Sequence, residues 1–460
     1  MKIERLKTLL LIFLIALSIY QTGQLWFQPF SASEKPEEEV VIKNIYLWDK
    51  IKPEKISIFK DEKITTYKEE YCDEIWLEFI DIFEDYLKGE VEVSQVENFE
   101  FQGIVISLPN PLPKELFIEG LEIKNTDFND KVKSIKSFYI PEGKFKIIIE
   151  NNEGDFIKID SDVEINRKNI NNLSDKIKEN TEFTYNENIN DIDLNLVIPT
   201  NEYIMNPVIV KSEINIEDEE YITDIAKSYY NDNYDYVRKS VESNNSVNYV
   251  YKNEKVLRIN SEGLLEFYDT AENTIGENNV YVSLLTALKF TEDFLGYPEN
   301  AYLTEVESIQ RDGNYGFRFS FDYKILNRPI IFSQVREERA LEIEVIGKEV
   351  VLYKRFIRVI DLSDPSLMEE KKAINPIGIL EDNIGLLAMI QIEENKDLRD
   401  EEIIENSILE SIEEMYLGYY DPSRKLSEQL IRSVWVMKTQ EKRYIFNAVT
   451  GNLVEIQNMD

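Results

Sequence analysis

The sequence predicts an α+β chain: one N-terminal transmembrane helix followed by an elongated multi-domain ectodomain of antiparallel sheets with packed helices. Three observations carry this reading. A basic N-terminus leads into an apolar run. Short stretches of alternating apolar and polar residues, separated by turn residues, recur along most of the remaining chain. Only a few stretches, near 70–88, 217–230 and 280–295, place apolar side chains at helical spacing.

Lys2, Arg5 and Lys7 precede the apolar residues 9–20, and Glu34, Glu37, Glu38 and Glu39 follow them, the asymmetry of an N-terminus kept in the cytoplasm. The uninterrupted run falls short of the ~20 residues that span ~30 Å of hydrocarbon. Counting on through Gln21-Thr22-Gly23-Gln24 restores the length and sets those residues near the outer headgroups. Trp26 and Phe27 then form the membrane-interface anchor. Residues 1–7 are thus read as cytoplasmic, 8–27 as the transmembrane helix and 28–43 as a Pro- and Glu-bearing linker. A removed signal peptide is the competing reading, but the small residues Ser31-Ala32-Ser33 lie far beyond Tyr20. Ser18, Gln21 or Thr22, and Leu25 share one helical face and make it the more polar stripe, which in lipid favours a partner helix. The plainer alternative is that Gln21 and Thr22 simply reach the interface.

Residues 44–200 read as an N-terminal α+β domain. It holds a strand pair turning at Asp61-Glu62, an amphipathic helix over 70–88 with Ile75, Phe79, Phe83 and Leu87 in register, and a strand over 101–108 closed by Pro109-Asn-Pro-Leu-Pro113. Strands over 135–140, 144–150 and 156–159 follow. Residues 207–362 read as a central α+β domain with helices over 217–230 and 280–295. One helix against a curled antiparallel sheet buries the alternating Phe317, Phe319, Phe321 and Tyr323. Residues 363–460 read as a C-terminal α+β domain, a possible shortened repeat of the central module, in which 384–392 fits strand or helix equally.

Composition narrows the function. With 52 Lys+Arg against 88 Asp+Glu, the formal charge of −36 repels phosphate, so nucleic acid is excluded as a partner and a basic membrane patch with it. The chain has no His, which rules out Ser-His-Asp, Cys-His and His-based zinc sites. The single Cys, Cys72, cannot form an internal disulfide and sits in a helical pattern as a small hydrophobe. Ser57-Ile-Phe-Lys60 has Ser-x-x-Lys spacing but lacks that motif's partners. Asn231-Asp-Asn-Tyr-Asp235 lacks the loop Gly and closing Glu of a calcium loop and reads as a helix-ending loop. No catalytic residue, metal ligand or cofactor site is assigned, and the chain is read as a non-enzyme.

Several segments stand out: the anchor ending Gln24-Leu-Trp-Phe-Gln-Pro29, Phe290-Thr-Glu-Asp-Phe-Leu295, Phe319-Ser-Phe-Asp-Tyr-Lys-Ile-Leu-Asn-Arg-Pro329, Leu417-Gly-Tyr419 and Val434-Trp435. With these, the layout as a whole resembles the YycH family, membrane-anchored regulators of the WalK/WalR two-component system of Gram-positive bacteria. The related YycI family has a similar anchor and a shorter ectodomain. The resemblance implies a single-pass cell-membrane protein whose anchor meets a WalK-like sensor histidine kinase and a YycI-like protein, adjusting kinase output and so cell-wall metabolism. It brings no active-site residues and no cofactor. A different class, an extracytoplasmic receptor for wall fragments, a peptide or another small ligand, stands as the alternative.

Overall fold

The computed structural model describes residues 47–165 and 207–459, apart from 61–62, 68–71, 98–100, 143–145, 271–278, 312, 327, 334–338, 362–370, 395–400, 423–427 and 440. Five two-residue strands between 184 and 205 are also described. All these residues fall in one compact unit, 44–460.

The first segment contains β1 (Lys55–Lys60), β2 (Lys63–Tyr67), α1 (Cys72–Leu87), β3 (Val91–Val96), β4 (Gly103–Pro113), α2 (Lys114–Gly120), α3 (Thr126–Lys131), β5 (Ser134–Pro141), β6 (Ile147–Glu150) and β7 (Phe156–Ser161). Its strands form a seven-stranded antiparallel sheet in the order β2-β1-β4-β5-β6-β7-β3. Asp73 and Glu74 occupy the first turn of α1, where the helix dipole favours negative charge. The Ile75, Phe79, Phe83 and Leu87 stripe is buried. Phe79 and Phe83 lie 5.0 and 5.3 Å from the Phe138 ring on β5. At the far end of the helix, Tyr86 Oη accepts from Ser161 N at 3.0 Å, pinning α1 to β7. Cys72 is buried and in no disulfide, as its pattern suggested.

One expectation fails here. The Pro-rich segment 109–113 does not end the strand; β4 continues to Pro113. The register against β5 slips between Ser107 and Leu112, so Pro109 and Pro111, which have no N–H to give a ladder, fall in the irregularity rather than in paired positions.

The middle segment holds β8 (Val208–Ser212), α4 (Glu219–Tyr230), a 3₁₀ turn (Asn231–Tyr236), β9 (Arg238–Val241), β10 (Val247–Tyr251), β11 (Lys255–Ile259), β12 (Leu265–Tyr268), α5 (Val280–Phe294), β13 (Ala301–Arg311), β14 (Asn314–Ile325), β15 (Arg328–Phe332), β16 (Leu341–Ile346), β17 (Glu349–Arg355) and β18 (Arg358–Ile360). The alternating aromatics of β14 are all buried, as the spacing predicts. Asn279 caps α5 by accepting from Val282 N at 3.1 Å. The same side chain donates to Glu119 of α2 at 2.8 Å and so ties the first segment to the second. Asn110 does the same from β4, donating to Thr304 O of β13 at 2.9 Å.

The last segment comprises α6 (Pro376–Glu394), α7 (Glu401–Ser411), β19 (Ile412–Asp421), β20 (Glu428–Thr439), β21 (Lys442–Asn447) and β22 (Leu453–Asn458). The ambiguous 384–392 stretch is helix. Its apolar residues are spread around the helix, and Ile379, Leu380, Leu387 and Ala388 enter the core around Trp435 and Phe446.

The second sheet crosses the segments. Its order is β9-β10-β11-β12-β17-β16-β14-β15-β19-β20-β8-β18, with β13 on β14 and β21 joining β20 to β22. Antiparallel pairing predominates as expected. The exception is β15 with β19, which run parallel, Ile330 opposite Tyr419. Parallel neighbours need a long crossover, and the two helices between β15 and β19 supply it. The architecture is therefore α+β with mixed, mostly antiparallel sheets. Among the described residues no helix is long and apolar enough to cross a membrane; the 8–27 segment lies outside them.

Candidate functional site

Among the described residues, chemistry-bearing side chains come together in more than one place. The first is where β8, β17, β18, β19 and β20 meet. Arg355, buried at the end of β17, forks onto Glu213 with bonds of 2.8 Å (Nε) and 2.6 Å (Nη2), and its Nη1 donates to Gly296 O at 2.6 Å. Three residues on, Arg358 donates from Nε to Asp421 at 3.3 Å, and both side chains are 0% exposed. Asp421 also accepts from Gln429 Nε2 at 2.7 Å. The Arg358 guanidinium lies 4.6 Å over the Phe356 ring, which supplies cation–π attraction in a dry setting. These ion pairs sit where strands from the middle and last segments interleave. Buried charge of this kind is costly unless paired, and here each guanidinium has a carboxylate partner.

One face of the central sheet carries charge too, largely in ion pairs. Arg258 reaches Glu242 and Glu266 at 3.7 Å each, Lys354 reaches Glu342 at 3.4 Å, and Arg318 bridges Glu307 at 3.0 Å and Glu344 at 2.8 Å. Opposite charges on neighbouring strands pair across this face, and Glu344, 0% exposed, is a buried partner of Arg311 and Arg318.

The second place is a cavity of about 310 Å³ between the C-terminal end of α4, the face of α5 and the ends of β11, β12 and β17. Tyr229, Phe267 and Phe290 form one wall: the Tyr229 and Phe267 rings are 4.3 Å apart, and Phe267 stacks on Phe290 at 6.0 Å. On the same lining, Lys255 Nζ lies 2.6 Å from Asp269 Oδ2, and Glu349 contributes as well. Burial, and next the charge of Asp269, push the Tyr229 phenol above its ordinary range. Burial raises Tyr230 likewise, and its hydroxyl donates to Tyr249 O at 2.7 Å. Sequence reasoning missed this site because its residues come from five separate elements with no shared motif.

The sequence-derived site residues Ser18, Gln21, Thr22 and Leu25, and the interface anchors Trp26 and Phe27, lie outside the described residues. Ser57 is buried on β1. Asn231-Asp-Asn-Tyr-Asp235 forms the 3₁₀ turn rather than an open loop. Among the described residues no group of three His, Cys, Asp or Glu side chains is placed to hold a metal ion.

The fold so described defines a class: α+β proteins in which a seven-stranded antiparallel sheet precedes a larger sheet whose central and C-terminal strands interleave. Within it, the chain is similar in fold to YycH from Bacillus subtilis, at 13% identity and a TM-score of 0.54, covering 87% of this chain and 96% of that one. An uncharacterised protein from Eubacterium rectale matches at 16% identity and TM-score 0.36, over 58% of this chain and 85% of its own. The C-terminal domain of Bacillus megaterium YpeB matches at 14% and TM-score 0.27, over 53% and 98%. No protein-family model and no curated protein matches the sequence.

Proposed function

We propose that this chain is a non-enzymatic accessory regulator of a sensor histidine kinase, anchored in the cell membrane by residues 8–27 and acting by protein contact through that helix and its extracytoplasmic domains. The observation that supports it most is the end-to-end fold similarity to YycH, 87% of this chain against 96% of that one. The implied partners are a WalK-like kinase and a YycI-like protein, and the implied output is cell-wall metabolism. The polar stripe of Ser18, Gln21, Thr22 and Leu25 is the proposed contact with the partner helix. Co-purification with a co-expressed WalK-like kinase tests the reading. Replacing 8–27 by an unrelated poly-Leu helix abolishes recovery if the contact lies in the anchor; unchanged recovery moves it to the ectodomain, and no recovery of the unaltered chain overturns the reading.

A second reading, an extracytoplasmic receptor for wall fragments, a peptide or another small ligand, is favoured by one observation. The aromatic-walled cavity beside Lys255 and Asp269 has convergent polar groups and falls at the lower end of the ~300–1,000 Å³ typical of small-molecule sites.

A further inference from the structure

We propose that the cavity between α4, α5 and the sheet binds a neutral saccharide unit, its ring face on Tyr229 and Phe290, which the buried Phe267 backs, and its hydroxyls on Lys255 and Asp269. The proposal deepens the receptor reading and rests on it.

The lining selects the ligand by elimination. A wholly apolar molecule would take Lys255, Asp269 and Glu349 out of water and give them nothing in return. An anion would meet Asp269 and Glu349 on a chain of formal charge −36. A cation would compete with Lys255, whose ammonium already lies 2.6 Å from Asp269, and a zwitterion would have to part that pair. Hydroxyl groups avoid both costs, because each donates and accepts. Neighbouring hydroxyls can give to Asp269 and take from Lys255 while the two stay paired. The C–H face of the same ring then lies on aromatic carbon, whose wall is continuous through the Tyr229–Phe267 and Phe267–Phe290 contacts. Asn233 and Thr270 stand exposed at the rim, where they can meet hydroxyls that remain outside.

The test is ligand-observed saturation-transfer NMR with the full-length chain in a detergent that has no sugar headgroup. The probes are chitotriose, maltotriose, choline and glycylglycine. At least one trisaccharide is expected to bind. Asp269→Asn, which preserves shape, should weaken it about tenfold or more, and the rim variant Asn233→Ala by a smaller factor, with thermal melts showing that both variants fold. Saccharide binding unchanged in both variants overturns the site. Choline or glycylglycine binding that depends on Asp269, without saccharide binding, overturns the saccharide assignment while leaving the receptor reading standing. Binding of no probe overturns both.

Discussion

Replacing Asp421 by Asn is the sharpest perturbation of the interleaved sheet. The substitution keeps the shape of the side chain but removes the charge facing Arg358, and both groups are 0% exposed. Breaking a buried pair by neutralising one partner costs about 3–5 kcal/mol, because the other charge stays buried without compensation. The double variant Arg358→Met with Asp421→Leu removes both charges and fills the space with apolar volume. The Gln429 amide, which donates to Asp421 at 2.7 Å, then loses this partner, at a cost of about 1–3 kcal/mol. The larger change should therefore be the less damaging one. Urea unfolding followed by intrinsic fluorescence measures it, since Trp435, 0% exposed on β20, reports the affected strands. A double variant as unstable as the sum of Asp421→Asn and Arg358→Met would refute the argument, because additivity means the two charges do not depend on each other.

Three further outcomes follow from the packing. Gly263 has φ +85°, and a Cβ there would lie 1.8 Å from Ser212 Oγ and 2.7 Å from Ser212 Cβ. Gly263→Ala should accordingly lower the urea midpoint by the equivalent of more than ~1 kcal/mol; an unchanged midpoint would show that the turn yields freely. Burial holds Tyr268 and Tyr416 up at about 12, and Tyr139, Tyr229 and Tyr230 higher still. Free tyrosine titrates near ~10, so folded values exceed unfolded ones. That stabilisation is complete below pH ~10 and lost as pH rises through the folded values. Tyrosinate absorbance should show a late-titrating group coincident with loss of circular dichroism, and a single early titration of all phenols would contradict this. The Cys72 thiol is 3% exposed, so a thiol reagent should label it only on unfolding, and rapid labelling of the native chain would place the start of α1 elsewhere.

Much of the fold was legible because pattern encodes which face is buried. The spacing of Ile75, Phe79, Phe83 and Leu87 gave α1 to within two residues, and the alternation from Phe317 to Tyr323 gave the inner face of β14. Pattern does not encode which strand lies alongside which. Nothing in 208–212 says that it pairs with β20 on one side and β18 on the other, and the parallel β15–β19 pair depends on a crossover far along the chain. The helix of 401–411 was missed because its apolar positions are sparse, and β9 because every residue in it is exposed. A signal for the buried cluster existed in Arg355-Phe-Ile-Arg358, two cations closing an apolar strand, though their partners Glu213 and Asp421 stand 142 and 63 residues away. The cavity left no such trace: Tyr229, Lys255, Asp269, Phe290 and Glu349 become neighbours only once the sheet and both helices are in place.

The central claim, regulation through a membrane-helix contact, is tested most directly by site-specific photo-crosslinking in intact cells that co-express a WalK-like sensor kinase. A crosslinker at Gln21 or Thr22, on the proposed polar stripe, should capture the kinase, whereas one at Ala16, about half a turn around the proposed helix, should not. Capture with equal efficiency from both faces, or from neither, would contradict the account.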